Sequence, residues 1–483
     1  MIVRTKDPTP MWLPTHGPAA EFAARYLELH RAFYNRTLTT AEHDDWRRTQ
    51  LAAVLEQVST RSPFYARLLK RADLSAVTPD DLTALPFTTK ADLREEMLDV
   101  LSRPLAEALF FYETTGTTGR ATPCPRDGRE IVASNAHVTE SWSSIFRHHF
   151  GEHPPRIGLM GPTEVHSFGD TLGDVARNTG SMNAKIWPYS PVIGFQKALQ
   201  LMKDLELEVV CCTPGVALTL AKAAEHYGYD LRRDFAVKLL FVTGEMCTPA
   251  LAHNLEAVWG ADVYNILYGS QEAFVVATAC RNKRMHLSQT NYVVEVVDPE
   301  TGESHGPRGT GELTLTMLTD GVKPLVRYRT GDVVDVAESD CDCEMPGDLV
   351  RIVGRTLDRI DLGGRRFTAG QIETAVLTGV TGSAGYQVVI EQDAAGQDRL
   401  TVRLELLTGQ VADPEALADA VRARTADALG VPVAVELSDG LDPIVSTGAF
   451  VSWKAARVVD RRTLTDHETS VAQRMAANRG YTT

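Results

Sequence analysis

The hydrophobic pattern of the chain changes twice along its length. Between residues 17 and 70, apolar side chains such as Phe22, Tyr26 and Phe33 recur at helical spacing, which predicts a helical N-terminal segment. From about 105 to 330, short apolar runs alternate with amphipathic stretches; the runs lie at 156–160, 209–212, 239–243 and 263–267. Because each run is followed by a turn and a helical pattern, this region predicts buried strands of an α/β architecture.

A strict alternation of apolar and polar residues begins at Gly311. Residues 312–316 read Glu-Leu-Thr-Leu-Thr, which predicts antiparallel strands with one solvated face. Upstream, Thr88 or Thr89 is a suitable N-cap for a helix that follows the loop at 82–89. Together these patterns predict an α/β protein. We expect a large N-terminal α/β lobe, with β-sheets flanked by helices, and a small C-terminal α+β lobe.

The length of the chain supports this division. It has 483 residues, whereas a single hydrophobic core rarely grows beyond about 250 to 300 residues. The best boundary lies near 354–358, at the start of a Gly-rich stretch, so we expect domains at 1–354 and 355–483.

Charge and hydropathy exclude two classes of protein. The formal net charge is −14, which argues against a surface that binds nucleic acid through its phosphates. No stretch reaches the about 18 apolar residues that cross a bilayer, and the N-terminus lacks the apolar core of a signal peptide. We therefore expect a cytoplasmic protein that binds neither nucleic acid nor membranes.

The most distinctive local feature is the hydroxyl-rich loop at 114–122, Thr-Thr-Gly-Thr-Thr-Gly-Arg-Ala-Thr, which follows an apolar run. Its glycines permit a close approach of the backbone to a ligand, while hydroxyls, N–H groups and Arg120 suit phosphate oxygens. The ending typical of a Walker A loop is absent. On composition alone, a flexible polar turn explains the loop about equally well.

Four further motifs follow the loop in a fixed order, at 243–245 (Thr-Gly-Glu), 268–272 (Tyr-Gly-Ser-Gln-Glu), 327–332 (Arg-Tyr-Arg-Thr-Gly-Asp) and 354–364. This series resembles the adenylate-forming superfamily, which contains acyl-CoA synthetases, peptide-synthetase adenylation domains and luciferases. The segment 85–94, Leu-Pro-Phe-Thr-Thr-Lys-Ala-Asp-Leu-Arg, is similar to the phenylacetate-CoA ligase branch. The resemblance covers about residues 80 to 460.

The resemblance implies a role for each motif. The loop would hold the ATP phosphates, Glu272 would bind Mg²⁺, Tyr268 would stack on adenine, and Asp332 would accept hydrogen bonds from the ribose. A carboxylate suits both of the acidic roles, although a lone acid is more often a solvated side chain. The implied ATP-binding residues are Thr114, Thr115, Gly116, Thr117, Thr118, Gly119, Arg120, Gly244, Glu245, Tyr268, Gly269, Glu272, Asp332 and Arg355.

The implied chemistry begins with attack of a carboxylate on the α-phosphorus of ATP, which releases pyrophosphate and leaves an acyl-adenylate. Cations and N–H donors would stabilise the charge that builds on the phosphoryl oxygens. Lys454 matches the catalytic lysine of the family's Lys-x-x-Arg-Val-x-Asp ending, and Arg355 would assist from the lobe boundary. Taken alone, Lys454 would be a solvated side chain. The acceptor of the acyl group would be CoA or another thiol, such as that of a carrier protein.

Several residues depart from the family pattern. Gln271 replaces a Thr or Ser before the metal-binding Glu, so an amide donor would take the place of a hydroxyl at the α-phosphate. Leu357 stands at the hinge position and is followed by Asp358, and Trp453 replaces a Gly before the lysine. The changes at the hinge and before the lysine affect lobe rotation and the second half-reaction more than ATP binding. Three functions other than a thiol ligase therefore stay open. The enzyme would transfer the acyl group to an amine, or would activate nitrite for reaction with an aryl amine, or the chain would be a non-catalytic nucleotide-binding protein.

The acid is expected to be small and aromatic. This branch places aromatic side chains against the substrate in the region of Val165, which is followed here by His166, Ser167 and Phe168, with Tyr189 downstream. Phe and His can stack on an aryl ring, while Ser and His can bond a polar substituent. A core position explains Phe168 equally well. The sequence does not distinguish a monomer from a homodimer.

The chain has seven cysteines, and three of them form a second candidate metal site. Cys280 and His286 flank a polar turn, and Cys341 and Cys343 follow about sixty residues later. Four N and S ligands on two turns suit tetrahedral Zn²⁺, and some phenylacetate-CoA ligase relatives carry a Cys/His cluster in this region. We expect a closed structural zinc site, with scattered thiols as the alternative. The remaining cysteines are expected to be buried small residues: Cys124, Cys211, Cys212 and Cys247.

Overall fold

The computed structural model describes residues 17–114, 121–356, 359–438 and 457–462. The chain divides into two compact units. The first unit comprises 1–154, 163–181 and 266–357, and the second comprises 155–162, 182–265 and 358–483. The chain passes from the first unit to the second at 357–358, within the stretch where a boundary is expected. The second unit contains more than the C-terminal segment, and the division into domains 1–354 and 355–483 stays a prediction.

The described residues form eleven α-helices. They are α1 (Pro18–Tyr34), α2 (Thr40–Arg61), α3 (Pro63–Leu68), α4 (Lys90–Glu96), α5 (Gly128–Phe150), α6 (Phe168–Asn178), α7 (Gly194–Asp204), α8 (Pro214–His226), α9 (Pro249–Trp259), α10 (Ala369–Leu377) and α11 (Pro414–Leu429).

The same residues form twenty β-strands. They are β1 (Phe110–Glu113), β2 (Pro123–Arg126), β3 (Ile157–Leu159), β4 (Asn183–Lys185), β5 (Val209–Cys212), β6 (Leu239–Val242), β7 (Asp262–Asn265), β8 (Leu267–Ser270), β9 (Phe274–Ala279), β10 (Met285–Leu287), β11 (Tyr292–Val297), β12 (Gly309–Met317), β13 (Tyr328–Ala337), β14 (Leu349–Arg355), β15 (Arg359–Leu362), β16 (Arg365–Thr368), β17 (Ser383–Gln392), β18 (Asp398–Leu406), β19 (Val433–Leu437) and β20 (Val458–Asp460).

Local sequence signals explain where several helices begin. Thr39, Thr89 and Asp127 each form a capping box at the N-terminus of α2, α4 and α5, in which the cap side chain and an acid three residues later satisfy backbone N–H groups reciprocally. The N-cap at Thr89 and the helical segment between 17 and 70 are therefore confirmed. None of the helices in the described ranges combines the length and apolarity required to cross a membrane.

The first unit is built on a seven-stranded sheet in the order β11-β12-β13-β14-β10-β9-β8, with antiparallel neighbours throughout. The predicted antiparallel strand at 312–316 is β12, but the prediction that one face is solvated is wrong. Glu312, Thr314 and Thr316 are all buried. Glu312 forms an ion pair with Arg329, and Thr316 accepts a hydrogen bond from the backbone N–H of Arg327, so two of these three polar side chains find partners inside the protein.

The second unit contains a five-stranded parallel sheet in the order β4-β3-β5-β6-β7. Its strands β3, β5, β6 and β7 coincide with the four predicted apolar runs, as expected for strands that are covered on both faces. The unit also contains a four-stranded sheet, β19-β18-β17-β20, a hairpin, β15-β16, and helices α7 to α11. The mixed α/β architecture with helix-flanked sheets is thereby confirmed.

Candidate active site and metal centre

The hydroxyl-rich loop connects β1 to β2, which pair as an antiparallel hairpin. Two hydrogen bonds bring its ends together: Thr114 N–H donates to the carbonyl of Thr122 over 3.1 Å, and Thr122 N–H donates to Oγ1 of Thr114 over 2.9 Å. Thr114 therefore has a role in closing the loop. The central loop residues Thr115, Gly116, Thr117, Thr118, Gly119 and Arg120 lie outside the described residues.

Glu272 lies in the turn between β8 and β9, and a buried arginine holds this turn. Nη2 of Arg126 donates to the carbonyls of Gln271 and Glu272, each over 2.6 Å, and the guanidinium lies 3.9 Å from the ring centre of Phe274. Nη1 of the same arginine donates to Glu130 over 2.9 Å. The backbone that presents Glu272 is thus fixed by charge-assisted hydrogen bonds from Arg126 at the end of β2, and Glu130 in the first turn of α5 holds that arginine in place.

The carboxylate of Glu272 is a buried anion with cationic neighbours. It is 2% exposed, and Oε1 lies 3.0 Å from Nζ of Lys90. Burial alone would raise the pKa of Glu272, but the charges of Lys90 and Lys323 hold that pKa below its ordinary value. Within the described residues, the Lys90 ammonium is the partner of Oε1. A buried, hard carboxylate oxygen whose counter-ion is a partly exposed lysine suits a ligand of a Mg²⁺ ion.

Tyr268, Asp332 and Arg355 form a polar chain across three strands. Oη of Tyr268 donates to Oδ2 of Asp332 over 2.7 Å, and Nε of Arg355 donates to Oδ1 over 3.1 Å. Asp332 and Arg355 are direct partners in the β13–β14 register. Burial and the neighbouring carboxylate raise the pKa of Tyr268 well above its ordinary value. Each carboxylate oxygen keeps a second lone pair, so Asp332 is still able to accept hydrogen bonds from two vicinal hydroxyls.

The turn before Glu272 also contacts the predicted acid-binding residues. The side-chain amide of Gln271 lies 2.9 Å from Nε2 of His166 and 3.0 Å from Oγ of Ser167. Phe168, the first residue of α6, is 5% exposed and therefore largely a packing residue. Tyr189 belongs to the second unit, where its ring packs against Trp187 and Phe195.

The motif at 243–245 lies in the second unit, after β6. Gly244 has a φ of 84°, a conformation that favours glycine. The carboxylate of Glu245 is buried, and Oε2 accepts hydrogen bonds from Nη1 of Arg457 over 2.8 Å and from the N–H of Gly215 over 3.1 Å. The structure thus brings this predicted ATP-binding residue together with an arginine of the C-terminal motif.

The four predicted zinc ligands are gathered in the first unit. The ligand atoms of Cys280, His286, Cys341 and Cys343 all lie within 4.8 Å of one another. Sγ of Cys280 is 3.8 Å from Sγ of Cys341, and Sγ of Cys343 is 3.3 Å from Nε2 of His286. A tetrahedron with metal–sulfur bonds of about 2.3 Å has edges of about 3.8 Å, so the arrangement fits zinc.

The surroundings of this cluster also suit a metal. Nδ1 of His286 lies 3.2 Å from the carbonyl of Gly347, which orients Nε2 toward the thiols. A hydrogen bond from Cys343 lowers the pKa of Cys280 to about 4, favouring the thiolate that binds metals. Arg36, which follows α1, donates to the carbonyl of Cys343 over 3.0 Å. The cluster therefore connects two turns of the sheet to the N-terminal helices.

Three of the predicted catalytic and hinge residues, Lys454, Leu357 and Asp358, lie outside the described residues. Conversely, the structure adds four cations that the motif analysis does not assign: Lys90, Arg126, Lys323 and Arg457. Lys90 lies within the motif at 85–94 and Arg457 within the C-terminal motif, so their motifs already pointed to them. Arg126 and Lys323 carry no such signal, because only the fold brings them to Glu272.

Comparisons with known proteins show what the chain resembles. A family model described as AMP-binding enzyme matches residues 107–317. The phenylacetate-coenzyme A ligase of Thermus thermophilus is 27% identical over 457 residues, covering 89% of this chain and 99% of the relative. That of Aromatoleum evansii is 26% identical over 445 residues, covering 87% and 96%.

A solved structure shares the fold. A 2-hydroxyisobutyryl-CoA ligase in the postadenylation state, in complex with 2-HIB-AMP, aligns with a TM-score of 0.71 at 21% identity, covering 91% of this chain and 93% of that one. Sequence motifs, family match and fold therefore lead to one assignment. The chain is similar to enzymes of the adenylate-forming superfamily, is phenylacetate-CoA ligase-like, and is an ATP-dependent adenylate-forming ligase.

Proposed function

We propose that this enzyme activates a small aromatic carboxylic acid as its acyl-adenylate, with release of pyrophosphate, and transfers the acyl group to CoA. The observation that carries the proposal is the buried carboxylate of Glu272 in the β8–β9 turn, whose pKa the charges of Lys90 and Lys323 hold below its ordinary value. A reaction that cleaves ATP between the α- and β-phosphates requires such an anchor for Mg²⁺ together with cations for the departing phosphates.

In this proposal, some residues supply charge to the phosphates and others orient the substrates. Mg²⁺, when bound at Glu272, supplies positive charge to the phosphates. Asp332 holds the ribose, Tyr268 lies beside it for contact with adenine, and Arg355 supplies a cation at the same edge of the sheet. The loop at 114–122 surrounds the phosphates, and Lys454 bridges the carboxylate of the acid and the α-phosphate. Lys90 balances the charge of Glu272 before the nucleotide binds.

The proposal of an aromatic acid is supported by the group around Gln271. His166 presents a planar ring in contact with the Gln271 amide, and Ser167 adds a hydroxyl within 3.0 Å of the same amide. A ring and two polar groups suit an aryl acid with a polar substituent. Because Gln271 replaces the usual hydroxyl residue, we propose that its amide contacts the α-phosphate or the carboxylate of the acid.

The acceptor is proposed to be CoA, as the names of the curated relatives state for those proteins. A second candidate, an amine acceptor or nitrite activated for an aryl amine, is favoured by Gln271, Leu357 and Trp453. These residues depart from the family pattern at the phosphate site, the hinge and the catalytic lysine. The C-terminal lobe, 355–483, is proposed to be the small mobile domain that carries Lys454, and Leu357 and Asp358 its hinge.

The four-ligand cluster is proposed to hold a structural zinc ion without a catalytic role. Its support is the donor set: three thiols and one imidazole supply all four positions of a tetrahedral zinc, leaving none for substrate. Glu272, in contrast, supplies a single oxygen and leaves the remaining positions of Mg²⁺ for phosphates and water.

A pyrophosphate-release screen tests the proposed function. The purified enzyme would be incubated with ATP, Mg²⁺ and a panel of aryl, aryl-acrylic, amino-aryl and small hydroxy acids, and with nitrite plus an aryl amine, each with and without CoA. Release with an aryl acid and an aryl-CoA product by mass spectrometry is the expected result. Release with nitrite, or an amide product, would instead support the second candidate. Absence of release with every acid, while Lys454→Ala binds ATP like the wild type, would overturn both.

A further inference from the structure

The ring of His166 caps the first turn of α6. Its Nδ1 accepts a hydrogen bond from the backbone N–H of Phe168 over 3.1 Å. Because a backbone N–H can only donate, Nδ1 is the unprotonated nitrogen of the ring, and a neutral imidazole then carries its proton on Nε2. Nε2–H is therefore a donor, and the side-chain amide of Gln271 lies 2.9 Å from it.

The hydrogen bonds decide which end of the Gln271 amide faces this ring. An amide turned over by 180° keeps its shape but exchanges its oxygen and nitrogen. With Nε2 of Gln271 toward His166, two donors meet, and Oε1 is buried without a hydrogen-bond partner in the part of the chain that the structure describes. With Oε1 toward the ring, this oxygen accepts from Nε2–H of His166 and from the hydroxyl of Ser167, whose Oγ is 3.0 Å from the same end of the amide. This orientation satisfies all three groups and turns the two N–H donors of the amide to the opposite side.

The backbone is held in place on both sides of this contact. The carbonyl of Gln271 accepts from Nη2 of Arg126 over 2.6 Å. On the other side, Val165 has a φ of 52°, which is uncommon for a β-branched residue, and its carbonyl accepts from the N–H of Glu113 on β1 over 3.1 Å. Such a conformation persists where the surrounding structure imposes it, and it occurs most often at functional sites. The protein therefore fixes the direction of the Gln271 amide before a substrate binds.

We propose that His166 and Ser167 are positioning residues, which hold Gln271 by its amide oxygen and present its NH₂ group to an anionic oxygen of the reacting substrates. The inference rests on the proposed function, in which the Gln271 amide contacts the α-phosphate or the carboxylate of the acid. An NH₂ group brings two hydrogen atoms and no competing lone pair to that oxygen. Donors held in this way stabilise the charge that develops in a transition state without having to reorganise.

Gln271→Glu tests the direction of the amide. A carboxylate still accepts from His166 and Ser167 but presents a second oxygen in place of the N–H donors, so kcat for pyrophosphate release should fall by at least about a hundredfold. A raised KM for ATP places the contact at the phosphate, a raised KM for the acid places it at the carboxylate, and unchanged KM values indicate a contact made only in the transition state. A retained kcat would show that an oxygen already faces the substrates in the wild type, which would overturn the proposal.

Two substitutions of His166 separate positioning from helix capping. Asn brings an oxygen near the place of Nδ1 and can keep the bond to Phe168, whereas Gln brings a donor near the place of Nε2 and can keep the contact with Gln271. Both variants lose the ring, so any stacking on the acid is removed equally. His166→Asn should lower kcat about a hundredfold, and His166→Gln should lose about tenfold less.

Equal losses in the two variants, or a larger loss in His166→Gln, would overturn the positioning role. His305→Asn, at an exposed side chain, is the control and should keep the kcat of the wild type. Thermal melting checks that each variant is folded.

The tautomer of His166 tests the inference without turnover. Nitrogen NMR of histidine-labelled protein is recorded at about pH 8, where an ordinary imidazole is neutral, and the His166 signals are identified by their absence from His166→Asn. A protonated Nε2 and an unprotonated Nδ1 are expected. A protonated Nδ1 would overturn the inference even in an active enzyme. The expected tautomer in a protein that releases pyrophosphate with no acid would support the orientation of the amide and contradict the proposed function alone.

Discussion

The first unit contains two candidate metal sites of opposite design. The cysteine-histidine cluster offers four ligand atoms within 4.8 Å of one another, whereas the turn at Glu272 offers one buried carboxylate with a lysine 3.0 Å away. The first site has soft sulfur and nitrogen ligands that fill all four positions of a tetrahedral metal ion. The second has one hard oxygen ligand and leaves the other positions of the ion open. A closed site serves the fold, while a site that leaves positions open serves a substrate.

The difference also appears in what surrounds each site. In the candidate zinc cluster, the carbonyl of Gly347 contacts His286, and Arg36 donates to the backbone carbonyl of Cys343. Glu272 is supported on its backbone by the buried Arg126, but its carboxylate is balanced by Lys90, whose side chain is 43% exposed. A half-exposed cation can move aside for Mg²⁺ and phosphates, which a buried one cannot do without cost. The comparison leads to four predictions.

The largest effect is expected from loss of the zinc ligands. Cys341→Ser combined with Cys343→Ser should remove zinc and lower the free energy of unfolding by several kcal/mol, toward the about 10 kcal/mol that structural zinc contributes in small domains. Metal analysis and chemical denaturation measure both effects. Cys247→Ser, outside the cluster, should change neither. Wild-type protein without zinc, together with unchanged stability of the double variant, would contradict the closed-site assignment.

Arg126→Met should have the next largest effect on stability. The Arg126 side chain is fully buried, and its removal leaves Glu130 and two backbone carbonyls without their donor, which should cost about 3 to 5 kcal/mol. Urea unfolding measures the loss. Arg351→Met is the control, since Arg351 is 72% exposed in its pair with Asp335 and should change stability by less than about 1 kcal/mol. Equal losses of unfolding free energy in the two variants would show that burial of the arginine does not determine how much its removal destabilises the protein.

Glu272→Gln should separate catalysis from folding. The amide keeps the size of the side chain but cannot serve as an anionic Mg²⁺ ligand, so kcat for pyrophosphate release should fall about a hundredfold, roughly 2.7 kcal/mol of barrier. The melting temperature and the zinc content should stay close to those of the wild type. Glu338→Gln, at a side chain 79% exposed, is the control. If the rate of pyrophosphate release by Glu272→Gln depended on the Mg²⁺ concentration as the wild-type rate does, Glu272 would not be the Mg²⁺ ligand.

The smallest effect is expected in the pH dependence of Lys90→Met. The pKa of Glu272 is held below its ordinary 4.5, so its ionised form, and the stability it contributes, persist above that value and are lost as the pH falls through the lower folded pKa. Without Lys90, burial dominates and the pKa of Glu272 rises. The acid limb of kcat against pH should therefore move to higher pH, while Lys70→Met, at an exposed site, leaves it in place. An unmoved acid limb would show that the ion pair does not set this pKa.

Much of this arrangement could be predicted from the sequence, and the exceptions have physical reasons. The apolar runs at 209–212 and 239–243 predicted buried strands, because strands covered on both faces are apolar throughout, and the structure shows these two strands paired in parallel. The spacing of Cys280, His286, Cys341 and Cys343 was enough to group the ligands. The burial of β12 was missed, because periodicity cannot show that Glu312 has an arginine partner within the protein.

The supporting cations were missed for a related reason. Arg126 and Glu272 are separated by 146 positions, and the contact arises only when β2 and the β8–β9 turn pack together. Likewise, a Thr-Gly-Glu motif cannot reveal that its acid faces Arg457. Motif order identifies the residues that belong to the site, whereas the partner of each charge depends on the tertiary fold.

Gly269 shows how poorly surface exposure measures tolerance to mutation. It lies at an irregularity in the β8–β9 ladder and is exposed, but a methyl group there would come within 1.9 Å of the carbonyl oxygen of Phe274. Any side chain would therefore separate the two strands whose turn carries Glu272. In a library of random variants, this solvent-facing position should be depleted as strongly as the core, and an engineer who reshapes the substrate pocket should leave it as glycine.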